Sequence, residues 1–253
     1  MPSSGESEIS RRIPPRMRLK RNVQVVLAGC CLLTGCAEQM RRTMIPEPVC
    51  SGSSDRLNAA WRALNQALET PGGCDPDAGQ HCEQLRAEIA RLAVECPNSP
   101  EVLMANALLA FQAHLLADSQ QLLDRLLDEH APYPEASSLR ARIALEEGNL
   151  RFALRFLEEQ LQRFGEDAGM HETYASALFL ARRWEDARGQ LAMAARLGAP
   201  AWRIAYGLGL IEESQAHYAE AKARYEEARQ ARPEWKAPDA RLRALAAAGR
   251  ISQ

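Results

Sequence analysis

The sequence predicts an all-α fold, an array of antiparallel helix pairs stacked side by side. Three observations predict it. First, residues 100–235 divide into four back-to-back blocks of 34 residues, starting at Pro100, Pro134, Ala168 and Trp202. Second, the blocks share columns. The eighth position reads Ala107, Ala141, Ala175, Gly209; the twentieth reads Ser119, Ala153, Ala187, Ala221; the twenty-fourth reads Leu123, Leu157, Leu191, Tyr225. Third, the flanking segments 54–96 and 238–248 carry apolar residues at helical spacing, interrupted by proline and glycine. A fixed period of this length marks a repeat architecture in which each unit is one supersecondary element.

The columns have a packing reason. Two helices approach closely only where side chains lack bulk, at positions 8 and 20. Large residues at position 24, and at position 17 (Leu116, Leu150, Trp184, Tyr218), fill the space beside them. One pair cannot bury its apolar face alone, so pairs stack and the ends need polar caps. The pattern resembles the tetratricopeptide repeat (TPR), a helix-turn-helix unit. It is clearest in the last block, with Leu208-Gly209, Tyr218, Ala221, Tyr225, Ala228 and Pro233, and weakest in the first, with Asn106 and Ser119. The resemblance implies an all-α solenoid, a right-handed superhelix with the A helices lining its concave face.

Taken in order, the chain opens with an address. Arg16 to Arg21 is a basic cluster, followed by a mostly apolar run from Asn22 to Gly35 that is too short to span a bilayer. The run ends in Leu33-Thr34-Gly35-Cys36, which resembles a bacterial lipoprotein signal; a basic n-region before a short h-region fits export. The resemblance implies that residues 1–35 are removed and that Cys36 carries a diacylglycerol and an N-acyl chain. An earlier box ends at Cys30 but leaves an apolar run of only about eight residues, at the floor of the usual range. Met17 precedes the basic cluster and offers an alternative start, which makes residues 1–16 an overlong start or an unfolded extension. Ala37 stands where a family rule places aspartate for inner-membrane retention, so the rule favours the outer membrane, facing the periplasm. Residues 36–49, with Pro46 and Pro48, read as a tether that reaches roughly 45 Å when extended.

Residues 50–99 hold Cys50, Cys74, Cys82 and Cys96, an even set in an exported chain and therefore a disulfide framework. Leu57, Ala60, Trp61, Leu64 and Leu68 mark one helix; Leu85, Ile89, Leu92 and Ala93 mark a second; Pro71-Gly72-Gly73 and Pro76 lie in the turn between. An antiparallel pair brings Cys50 beside Cys96 and Cys74 beside Cys82. The nested pairing Cys50–Cys96 and Cys74–Cys82 follows, closing an irregular first repeat. Zinc is disfavoured because no C-x-x-C pair has a matching partner set. The four regular repeats then span 100–133, 134–167, 168–201 and 202–235. Ser99 before Pro100 and Asp167 before Ala168 read as N-caps, and Gly148 as the turn between the helices of the second block. Residues 236–253 supply a cap helix with Leu242 and Leu245 on one face and Asp239, Arg241 and Arg243 toward water. The total is eleven main helices.

Charge and motifs narrow the function. The first 36 residues hold six basic residues and two acids, which leaves 25 basic and 31 acidic residues, a net −6, in the remainder. That balance argues against nucleic acid and against a polybasic membrane patch. No G-x-S-x-G, phosphate loop or G-x-G-x-x-G occurs, and the five histidines are scattered without metal-ligand spacing. No catalytic residue, metal site, cofactor or small-molecule substrate is expected. Glu146-Glu147, Glu158-Glu159 and Glu226-Glu227 read as solvated helix faces.

The TPR resemblance places partner-facing residues at repeat positions 2, 5, 9 and 12. From these, Met104, Leu108, Phe111, Arg142, Phe179, Tyr206 and Leu210 are the candidate binding residues, with Met104, Tyr206 and Leu210 favoured as surface. The alternative for Phe111 and Phe179 is core packing. Lipobox, tether and all-repeat body are similar in layout to the pilotins of type IV pilus secretins. That similarity implies a non-catalytic outer-membrane lipoprotein that holds an envelope protein, a secretin, and promotes its assembly for pilus biogenesis and motility. An accessory role in barrel assembly or cell-wall synthesis is the alternative. An enzyme is disfavoured because little chain remains beyond the repeats.

Overall fold

A computed structural model of the 253-residue chain describes residues 53–69, 80–164 and 167–251. The expected signal, Cys36, the tether, Cys50 and the turn holding Cys74 lie outside the described residues. Cys82 and Cys96 are each disulfide-bonded; their partners, and with them the nested pairing, also lie outside.

Eleven helices are described: α1 Ser54–Glu69, α2 Gln80–Glu95, α3 Pro100–Gln112, α4 Leu116–His130, α5 Pro134–Glu146, α6 Leu150–Phe164, α7 Ala168–Leu180, α8 Trp184–Arg196, α9 Ala201–Ser214, α10 Tyr218–Ala231 and α11 Ala237–Ala247. Among the described residues there is no strand, and no helix is long and apolar enough to cross a membrane. The second helix of every regular block starts at position 17, at Leu116, Leu150, Trp184 and Tyr218.

Local chemistry sets these starts. The Ser99 hydroxyl accepts the Val102 N–H at 3.4 Å, and the Asp167 carboxylate accepts the Met170 N–H at 2.8 Å, each meeting a donor that a helix start leaves open. Between the helices of each block, position 15 is left-handed: His114 at φ 55°, Gly148 at 76°, Arg182 at 59° and Ala216 at 63°. Only Gly148 reaches that region without a Cβ penalty. The other three are held there by the same return bond, from the next residue's N–H to the carbonyl five residues back, as in Leu115 to Ala110 and Arg183 to Leu178.

Columns 8, 20 and 24 are buried throughout. Ser119, standing for alanine, turns its hydroxyl onto the Ala107 carbonyl at 2.8 Å, so its polarity is satisfied inside the pair. Column 17 is only half-buried. The apolar clusters run from one pair into the next. One joins α1 and α2 to α3 through Leu64, Leu92 and Val102; another joins α3 and α4 to α5 through Leu123, Leu126 and Ile143. The longest joins α5 through α9. Polar groups between pairs are matched: Ser137 donates to Gln160 at 3.0 Å, and Arg140 pairs with Asp124 at 2.7 Å while covering the Phe152 ring.

The first helix of each pair also packs against the first helix of the next, from α1 to α3, α5, α7 and α9, and the second helices are not paired in this way. In a curved stack the crowded layer is the inner one, so α1, α3, α5, α7 and α9 line the inside. The last helix, α11, closes the array on α10 through Leu245 and Leu242. Here the structure corrects an expectation. Arg241 does not simply face water: it is bound to Glu213 of α9, whose carboxylate also accepts the Tyr225 hydroxyl at 2.6 Å. Asp239 meets Arg229 at 3.7 Å, and Arg243 is exposed.

Candidate functional site

The inner layer carries three hollows that share walls. The first, about 520 Å³, is bounded by Trp61, Met104, Leu108, Tyr133, Ser138 and Arg142. The second, about 530 Å³, takes Ser138 and Arg142 from the first and adds Leu145, Glu172, Ser176 and Arg203. The third, about 200 Å³, takes Ser176 from the second and adds Phe179, Leu180, Leu191, Gly207 and Leu210. Shared walls make one groove, running from α1 to α9.

Gly169 keeps the groove open where the first two hollows meet. A Cβ there would lie 3.2 Å from an Asp167 carboxylate oxygen and 3.6 Å from the Ser138 hydroxyl. The middle of the groove is charged. Arg142 opens to solvent but has protein packed around its stem, stacked 4.9 Å above the Phe111 ring. That burial lowers its pKa, Glu146 opposes the effect, and Arg203 adds to it. Glu172 pairs with Arg203 at 3.0 Å. Burial nevertheless pushes the Glu172 carboxyl above the usual range, because desolvation outweighs the pull of Arg203, and Asp167 adds to the rise. Three buried polar atoms of this wall have no hydrogen-bond partner among the described residues: Trp61 Nε1, Ser138 Oγ and Glu172 Oε1. Such groups are uncommon in packed interiors and here all three belong to the groove. Among the described residues no three His, Cys, Asp or Glu side chains converge as a metal site.

The candidate residues divide. Met104, Leu108 and Arg142 bound the first hollow; Phe179 and Leu210 bound the third. Met104 is only 4% exposed and Phe111 8%, so both are core residues rather than open surface. Met104 touches the groove at its edge, and Phe111 acts from beneath Arg142. Phe179 is half-buried, its ring tilted against Trp184 with centroids 5.3 Å apart. Tyr206 lies outside the three hollows, in an aromatic cluster with Tyr225 at 5.5 Å and Trp235 at 4.6 Å. Two wall residues escaped the sequence reading. Trp61 has ordinary core spacing on its own helix, and Gly207 is distinguishable only when its column is compared.

No family model matches the sequence, and no curated protein does. Solved structures do match. TTC0263, a thermophilic TPR protein of Thermus thermophilus, superposes with a TM-score of 0.59 at 19% identity, covering 74% of this chain and 98% of that one. The fold is the TPR fold. A structure of Pseudomonas aeruginosa pilF superposes with a TM-score of 0.54 at 14% identity, over 71% of this chain and 78% of that one. At these identities the likeness concerns architecture, and the TPR array of this chain keeps its own groove chemistry.

Proposed function

We propose that this protein is a non-catalytic, lipid-anchored scaffold of the bacterial outer membrane. Its TPR groove holds a segment of another envelope protein and promotes assembly of that protein's complex, most specifically a secretin of a type IV pilus. The observation that carries the reading is the continuous groove from α1 to α9. Its wall holds polar atoms without partners, and an arginine without an ion pair, among the described residues. A groove of this kind suits an extended or helical protein segment. The lipobox at Cys36 and the shared fold with the pilF structure favour the pilotin role.

The test is made in cells. A photocrosslinking residue replaces Ser176 on the groove wall, and the adduct is identified from outer membranes. The expected product contains the secretin, and Cys36→Ala is expected to release the protein from the membrane and reduce secretin multimers. Normal pilus assembly after deletion of the gene ends the pilotin reading. Adducts with barrel-assembly or cell-wall proteins redirect the scaffold to those complexes.

A further inference from the structure

The two ends of the groove have different chemistry. In the first hollow, Trp61 Nε1 and the Arg142 guanidinium can only donate, and the Ser138 hydroxyl can donate as well. Trp61 Nε1 and Ser138 Oγ have no partner, and Arg142 makes no ion pair among the described residues. The carboxylate of Asp167, on the same wall, is committed to the Met170 N–H. Glu135 is exposed at the rim, and Glu146 is exposed one turn beyond Arg142. A cluster of donors around an unpaired guanidinium fits an acceptor that carries negative charge.

The third hollow is apolar. It exists because Gly207 stands where the other blocks place Ala105, Leu139 and Thr173. A Cβ on Gly207 would lie 3.1 Å from Leu191 Cδ1, so Leu191 forms a floor directly below the missing side chain. Leu180, 54% exposed, forms the outer lip. A volume near 200 Å³ admits one apolar side chain. Stacked helices lie about 8–10 Å apart, so Arg142 and this notch are separated by roughly 12–15 Å, or about four residues of extended chain.

We propose that the groove selects an internal segment of its partner by two side chains, a carboxylate bound at Arg142 and a single apolar residue seated in the notch opened by Gly207. This rests on the scaffold reading and specifies its ligand. The carboxylate is that of an Asp or Glu side chain, and the segment runs across α7 with the apolar residue toward α9. Specificity arises because an uncharged or basic replacement leaves the donors of the first hollow unpaired.

The test uses the full chain in detergent as bait for a random dodecapeptide phage library. The expected enrichment is an acidic residue and a Leu, Met, Ile or Phe about four residues apart. The enriched peptide is then synthesised with both ends blocked, which removes terminal charges, and its affinity measured by fluorescence anisotropy. Arg142→Ala is expected to weaken binding at least about tenfold, but not for the peptide with glutamine in place of its acid. Leu180→Glu is expected to weaken both peptides about tenfold, whereas Arg224→Ala on α10 leaves both unchanged. Enrichment of basic peptides, no enrichment, or equal loss for acid and glutamine peptides with Arg142→Ala overturns the proposal. These results leave the scaffold reading to the crosslinking experiment, which scores partner recovery whatever its sequence.

Discussion

Gly209 and Tyr225 form a matched pair, and changing one without the other should damage the fourth repeat. In the first three blocks, positions 8 and 24 hold alanine and leucine; here they hold glycine and tyrosine. A Cβ on Gly209 would sit 2.6 Å from Tyr225 Cε1 and 2.8 Å from Cδ1, against a carbon–carbon optimum of about 3.5–4.0 Å. The ring cannot retreat. It is fully buried, and its hydroxyl is tied to Glu213, which Arg241 holds from α11. Gly209→Ala gains about 1 kcal/mol in helix propensity but incurs about 1–3 kcal/mol of overpacking, so the net expectation is a loss of up to about 2 kcal/mol. Tyr225→Leu alone leaves a cavity and loses the hydroxyl bond, costing about 2–4 kcal/mol. The double variant restores the alanine–leucine pair of the other blocks, with a favourable coupling of at least about 1 kcal/mol. Urea titrations followed by circular dichroism measure the cycle, and hydrogen exchange over residues 201–231 localises it to α9 and α10. A single Gly209→Ala change that raises the midpoint, or strictly additive effects, refutes the packing argument.

Three further outcomes are expected. The Glu172 carboxyl has a folded pKa above its unfolded value, so its ionisation opposes folding; the penalty is absent below the unfolded value and grows as pH rises through the folded one. Glu172→Gln should therefore raise the thermal midpoint at about pH 7 and lose that advantage near pH 4, as differential scanning calorimetry can show. Glu213→Ala strands the Tyr225 hydroxyl and frees Arg241; a loss of about 2 kcal/mol and faster hydrogen exchange across 237–247 should follow. Ala216→Gly relieves a left-handed residue at φ 63° and should stabilise by up to about 1 kcal/mol in urea titration.

What the sequence revealed and concealed follows from the kind of physics involved. Columns 8, 20 and 24 were legible because packing volume at a fixed spacing leaves a residue type behind. Ser99 and Asp167 were legible because capping is local. The left-handed position 15 was visible only at Gly148; His114, Arg182 and Ala216 give no sign of it, since their geometry is imposed by the return bond of the turn. The inner face was located by repeat position, which found Met104, Leu108, Arg142, Phe179 and Leu210 on the groove. Exposure was not legible: Met104 and Phe111 are core because α5 packs over them, a contact between blocks that no single block records. The same holds for Arg241, whose partner Glu213 lies 28 residues away, and for Trp61, which belongs to the irregular first pair yet borders the groove.

The shared turn also bears on how such a chain can change length. Adding one residue ahead of position 15 would rotate the following helix by about 100°, carrying column 24 off the small residues it fills. Between blocks, as at residues 131–133 and 197–200, the connection runs outside the helices. Variation in length is therefore tolerated at the seams and penalised within a block, so the array is free to grow or shrink by whole repeats. A partner's footprint along the inner face can then lengthen in steps of one helix pair without redesign of the pairs already present.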